Sequence, residues 1–163
     1  MSKFKPLLVS IGLSGALLTG GAMVAQQEGL ILGSYVDPVG IVTACFGKTG
    51  ADVELGQTYT QQQCLAMLAS DLEVYNKQLL SMVPADITPS EHAAYLSFIY
   101  NVGANNFSRS TLRKKLIAGD RVGACNQLSR WIYAKGKKLQ GLVNRRESER
   151  QLCLKEIVNV SND

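Results

Sequence analysis

The chain has 163 residues, 46% of them apolar, and a formal charge of +4. That length and apolar content give one domain a real core, which excludes a disordered chain and argues against two independent domains. The charge is uneven: residues 26–108 hold two Lys/Arg against eight Asp/Glu, a balance of −6, whereas residues 109–163 hold thirteen against five, a balance of +8. The basic half suits an anionic polymer or membrane surface, but its cations are not interleaved with aromatic side chains or set in a binding motif, which argues against nucleic acid.

The first element is an uncharged run from Pro6 to Ala25. As a helix these residues span roughly 30 Å, the thickness of a bilayer core. Gly12, Gly15, Gly20, Gly21, Ser10, Ser14 and Thr19 fall within it, so insertion is weak, since Leu and Ile at a helix centre each contribute only about −0.3 to −0.6 kcal/mol. Three readings compete. A cleaved signal peptide has Lys3 and Lys5 as its basic region, but Met23 stands where the cleavage site wants a small residue. A permanent anchor leaves Glu28 only roughly 5 Å of helix beyond the bilayer. The third is an uncleaved segment that inserts and later leaves the membrane. Lys3 and Lys5 then act as voltage-held charges, each costing about 2.3 kcal/mol per 100 mV to move outward. Leucine at Gly12, Gly15 and Gly20 is expected to strengthen insertion.

Glu28 follows, and then a segment rich in β-branched residues and turn formers. Val36, Ile41 and Val42 flank Asp37-Pro38-Val39-Gly40, and Gly47 and Gly50 punctuate the exit, which predicts a short antiparallel hairpin with Asp37 at the bend and Thr43 on the returning strand. Glycoside hydrolysis needs one protonated carboxyl to donate to the leaving oxygen and one ionised carboxylate to activate water or attack the sugar. Glu28 and Asp37 are candidates for those roles.

Beyond the hairpin the apolar spacing turns helical. Leu65, Leu68, Leu72, Tyr75 and Leu79 predict a helix from about Thr60 to Leu80 opening on a Thr60-to-Gln63 capping box, linking a small lobe to a larger one. Pro84 and Pro89 break the chain, Ser90 is expected to cap the next helix, and Tyr95, Phe98, Ile99 and Val102 form its buried face. Further helices are expected near Arg109 to Ala118, Arg121 to Ile132 and Asn144 to Val158. The fold class is α+β: mostly helical, with a small β-hairpin lobe, a connecting helix and a helical carboxy-terminal lobe. Cys45, Cys64, Cys125 and Cys153 all follow the apolar run; with export they read as two disulfides, and Cys45–Cys64 with Cys125–Cys153 is favoured because each joins neighbouring elements. A zinc site is the rival, though no CxxC or Cys-His spacing is present.

The pattern Glu28-x8-Asp37-x5-Thr43, with Tyr35, Gly40 and Gly47 inside it, resembles the T4-type phage lysozymes. Ser97-Phe98-x-Tyr100-Asn101-Val102-Gly103-x-x-Asn106-Phe107 and Gly141-Leu142-x-x-Arg145-Arg146-Glu147-x-Glu149-Arg150 extend the likeness over residues 26–155. The resemblance implies a lysozyme-like fold and hydrolysis of the peptidoglycan glycan strand at the β-1,4 bond between N-acetylmuramic acid and N-acetylglucosamine. It implies Glu28 as general acid and Asp37 and Thr43 as the pair that positions water in an inverting reaction. One departure from the resemblance lies in the Gly47-Lys48-Thr49-Gly50 turn, where many relatives carry a histidine. The amino terminus is similar to the signal-arrest-release segments of certain lambdoid phage endolysins. On that likeness residues 1–25 form a membrane segment before a lysozyme domain at 26–163, inactive at the inner membrane and active once released into the periplasm.

No cofactor or metal is called for, and a monomer acting on peptidoglycan is expected. Asn101, Gly103, Asn106, Arg145 and Arg146 are assigned to cleft shape and interlobe ion pairs before substrate contact. His92 is read as a surface or capping residue, and Trp131 and Tyr133 as core residues before sugar platforms. Two alternatives stand beside the hydrolase: a lytic transglycosylase on the same bond, which has no need of Asp37 and Thr43, and a non-enzymatic wall-binding protein, which gains nothing from two carboxylates.

Overall fold

The structure is a computed structural model that describes residues 2–160. Its eight helices and two small hairpins among those residues run α1 Lys5–Ser10, α2 Gly15–Glu28, β1 Ile31–Val36, β2 Val42–Cys45, α3 Gln61–Leu80, α4 Pro89–Val102, α5 Ala104–Arg109, α6 Thr111–Ile117, α7 Arg121–Gln127, β3 Tyr133–Ala134, β4 Lys137–Lys138 and α8 Gln140–Val160. α4 is the hub, buried along most of its length between α2 and α8, while α3 joins the β1–β2 lobe to the helical lobe. The α+β reading holds.

The apolar run does not form one helix here. It breaks at residues 11–14, where Gly12 takes φ 93°, and its two halves fold onto the domain. No described helix is long and apolar enough to cross a membrane. Phe4, Leu8, Ala22, Val24 and Ala25 join the core. The glycines of α2 permit this docking: a Cβ on Gly20 would meet the Ala93 carbonyl at 2.9 Å, and one on Gly21 would meet Leu72 Cδ1 at 2.7 Å. Gly20 therefore has a packing role in the docked fold. Gly20→Leu is expected to destabilise the docked fold by about 1–3 kcal/mol through overpacking, read as a lower melting temperature of the soluble protein. An unchanged melt would show that α2 does not pack on α4.

The hairpin pairs Tyr35 with Thr43 and Val36 with Val42, with a register shift between Ile31 and Tyr35. α3 opens on the expected capping box, Thr60 with Gln63. α4 corrects one expectation: its cap is Thr88, not Ser90, and Thr88 forms a capping box with Glu91. Pro89 fits the first helical position because an N–H there has no partner within the helix. The Ser90 amide donates instead to Glu156 Oε2 at 2.8 Å. The helix expected over 109–118 is divided, since Ser110 ends α5 and caps α6. That expected over 121–132 stops at Gln127 and continues as a 3-10 turn, Leu128–Arg130. α8 begins four residues earlier than expected. The cysteines pair Cys45–Cys64 and Cys125–Cys153, leaving none free for zinc.

Candidate active site

Glu28 is the last residue of α2, and Gly29 at φ 72° turns the chain into β1. The glutamate therefore sits where the segment that began as the apolar run meets the hairpin. Its side chain is about one quarter exposed. Oε1 accepts from Arg145 Nη1 at 2.7 Å, so α8 holds the carboxyl from the helical lobe. From the other side comes the turn after β2. Cys45 takes φ 59°, and reciprocal backbone bonds between Ala44 and Lys48 close a tight loop. That loop brings Gly47 against Glu28. A Cβ at Gly47 would come within 3.0 Å of Glu28 Oε2, and the φ of 71° independently favours glycine. Two neighbours secure the loop: Tyr100 donates its hydroxyl to the Phe46 carbonyl at 3.1 Å, and Phe4 meets the Phe46 ring edge-to-face at 5.2 Å. Phe4 precedes the apolar run, so the amino terminus buttresses the loop that touches Glu28.

Asp37 stands at the hairpin bend. Its backbone carbonyl accepts from Gly40, and its Oδ1 accepts from the amides of Val39 and Ile41, each at 2.9 Å. Turn formation and chemical availability coexist in one residue: Oδ1 is committed to the turn, while Oδ2 has no protein partner among the described residues. Thr43 is buried on β2, with its hydroxyl donating to the Ile41 carbonyl at 3.1 Å. The hairpin pairing puts it opposite Tyr35.

A polar cleft of about 380 Å³ opens beside Gly47, lined by Lys48, Thr49, Asp71, Tyr75 and Tyr100 among others. Lys48 Nζ is 2.7 Å from Asp71 and 3.3 Å from Asp52. Burial pulls the ammonium down, but the hydrogen bonds and charges of Asp71 and Asp52 outweigh it and leave Lys48 above the usual lysine range. Lys48 thus ties the loop to α3. Tyr100 also rises, mainly through burial.

The remaining singled-out residues take supporting places. Arg145 makes the ion pair with Glu28, and Arg146 donates to Asn101 at 2.8 Å. Asn106 bonds back to the Val102 carbonyl, and Gly103 at φ 84° ends α4 and begins α5. His92 is half-buried rather than a cap or a free surface group: Nε2 lies 2.5 Å from Asn76 Oδ1, tying α4 to α3, and burial lowers its pKa. Trp131 packs edge-to-face on Phe98 at 5.3 Å, whereas Tyr133 is 61% exposed and is not core. Sequence reasoning did not find the Lys48–Asp71 pair, or Ser97 and Glu149 behind Arg145. The available signal was a serine within the apolar α4 and an acidic residue one turn from the Arg145-Arg146 pair on α8.

A phage lysozyme family model matches residues 25–149. The chain is 44% identical over 145 residues to the SAR-endolysin of Bacteriophage PS119, covering 89% of this chain and 87% of that protein. The fold is similar to the crystal structure of the active form of P1 phage endolysin Lyz, with a TM-score of 0.81, 26% identity, and coverage of 95% of this chain and 96% of that one. Against the secreted inactive form of the same endolysin the TM-score is 0.60, at 25% identity, covering 86% of this chain and 96% of that one. With its family model spanning the helix end that bears Glu28, the hairpin and most of the helical lobe, the chain belongs to the phage lysozyme family.

Proposed function

We propose that this chain is a phage endolysin that hydrolyses the β-1,4 bond between N-acetylmuramic acid and N-acetylglucosamine, and that its first 25 residues hold it inactive in the host inner membrane until release. Family membership makes it a peptidoglycan-lytic enzyme; the bond and the tether are the finer reading. The observation that carries it is Glu28, a partly exposed carboxyl held between Arg145 and the Gly47 turn. In this reading Glu28 protonates the leaving glycosidic oxygen. Asp37, whose Oδ2 has no protein partner among the described residues, and Thr43 orient the water that attacks the anomeric carbon from the opposite face, in a single displacement.

The tether reading draws on chain order. α2 delivers Glu28 as its last residue, and Phe4 braces the loop against it. With residues 6–25 in a bilayer, neither contact forms and the site is incomplete. Release lets the same residues dock as α1 and α2, giving a periplasmic enzyme. The SAR-endolysin relative and the closer likeness to the active than to the inactive form of Lyz support this sequence of states. Lys3 lies 5.1 Å over the Phe4 ring in the docked form, so a charge that resists crossing the membrane finds a partner after it has crossed.

Product analysis on purified peptidoglycan tests the reaction. New reducing ends, one per bond cut, are expected; anhydro-sugar ends would make the enzyme a lytic transglycosylase, and no cleavage would make it a binding protein.

A further inference from the structure

If Glu28 is to donate a proton, its position 2.7 Å from a guanidinium is unfavourable, because a cation beside a carboxyl group favours the ionised form. Something must offset Arg145. On the side away from the cleft, Arg145 donates from Nε to Glu149 Oε1 at 3.3 Å and from Nη2 to the Ser97 carbonyl at 3.2 Å. Glu149 is wholly buried, one turn further along α8. Its Oε1 also accepts from the Ser97 hydroxyl at 2.7 Å, and its Oε2 lies 3.0 Å from Arg146 Nε. Arg146 is equally buried, with its guanidinium 4.9 Å from the Phe98 ring centre. Burial pushes the Glu149 carboxyl up and the Arg146 guanidinium down to about 10, and each resists the other's loss of charge. The two guanidiniums within 3.3 and 3.0 Å of Glu149 favour its ionised form against burial, and with Glu149 ionised the group behind Glu28 carries a net charge of two minus one.

We propose that Glu149 is a positioning residue for the general acid, acting through Arg145: it fixes the guanidinium and offsets its charge, so that Glu28 keeps a proton beside a cation. The proposal rests on the reading of Glu28 as the acid. Neutralising Glu149 leaves two uncompensated guanidiniums and draws Glu28 toward the carboxylate. The other groups that bear on Glu28 are Arg146 of α8 and the Tyr100 phenol of α4. The 44–48 turn presents the Gly47 backbone, while its Lys48 is turned to Asp71 and Asp52. Glu149 itself faces Arg145 and Arg146 on its own helix and Ser97 on α4. Asp71 and Asp52 are paired with Lys48, which leaves Glu149 as the anion in contact with Arg145 besides Glu28.

The test is the pH profile of peptidoglycan clearing by the full chain and by Glu149→Gln, which keeps the shape and an acceptor for Ser97 and Arg145. The alkaline limb of Glu149→Gln is expected to move to lower pH by about one unit, the low end of the shift caused by a nearby charge. Activity on that limb then falls about tenfold relative to the acid plateau. Glu149→Asp, which retains the charge, is expected to bring the limb back toward the parent. A profile merely scaled down with both limbs in place, or a limb moved to higher pH, overturns the proposal. Carboxyl carbon resonances of the parent protein give a measurement that needs no variant: Glu149 must be ionised across the active range, and a neutral Glu149 there also overturns it. Glu28→Gln run alongside separates the two ideas. Full activity of that variant removes the acid assignment, whereas its inactivity with an unmoved Glu149→Gln limb removes the present proposal alone.

Discussion

Glu28→Gln is expected to lose at least about two orders of magnitude in peptidoglycan clearing, since general acid catalysis contributes typically about 10²–10⁴-fold. The amide has the shape of the acid but no proton of suitable acidity to give. Its carbonyl oxygen still accepts from Arg145 Nη1, and Gly47 still has room beside it, so the chain should fold and melt cooperatively. Asp37→Asn should also be severely impaired while preserving the hairpin, because the Asn carbonyl can take over the bonds from the Val39 and Ile41 amides. Turbidity loss on exposed peptidoglycan, with circular dichroism on the same preparations, measures both. A Glu28→Gln protein clearing at near the parent rate would show that the acid lies elsewhere.

Removal of residues 2–25 is expected to abolish both activity and stable folding. Phe4, Leu8 and Val24 are buried in the core, and at about 1.5–3 kcal/mol for each large apolar side chain their loss approaches the whole stability of an ordinary domain, about 5–15 kcal/mol. Ala22 and Ala25 add to the deficit, and the face of α4 that receives α2 is laid open. The Phe46–Gly47 turn also loses its Phe4 support. The same experiment tests the signal-peptide reading, which would generate this truncated chain in the periplasm. Recovery from lysing cells of a soluble, cooperatively folded, lytic enzyme beginning at Gln26 would end the tether hypothesis. A full-length soluble enzyme is the expected result.

On the proposed tether, the composition of the amino-terminal run would serve two environments through one property. The seven Gly, Ser and Thr residues among the twenty make insertion weak, and the small residues of α2 let it approach α4 and Leu72 closely enough to bury Gly20, Gly21, Ala22 and Ala25. Substitutions in this segment therefore fall into two groups. Leucine at Gly20 both strengthens insertion and obstructs docking, whereas a Cβ at Gly12 or Gly15 meets nothing within 4 Å, although φ values of 93° and 56° strain any side chain there.

The sequence by itself determined what short-range chemistry controls. The Asp37-Pro38-Val39-Gly40 turn, the Thr60 capping box and the leucine spacing of α3 are readable because turn and cap preferences and helical periodicity operate over a few residues. The spacing of Glu28, Asp37 and Thr43 stood out through its resemblance to the T4-type phage lysozymes, and it could do so because all three lie within one continuous helix-to-hairpin segment. Cap choice between neighbouring residues was less legible, since Thr88 and Ser90 are both good caps and Glu91 and Glu156 decided between them. Only the tertiary structure shows how the apolar run docks on the domain, because a bilayer and a protein core both reward the removal of apolar side chains from water and the sequence does not distinguish them. The tertiary structure alone brought Arg145 to Glu28 across 117 positions, and Ser97 to Glu149 across 52. Periodicity marks a face as buried, but a buried guanidinium or carboxylate is stable only where packing brings it an opposite charge or a hydrogen-bond partner, and that partner is chosen by how α2, α4 and α8 come together.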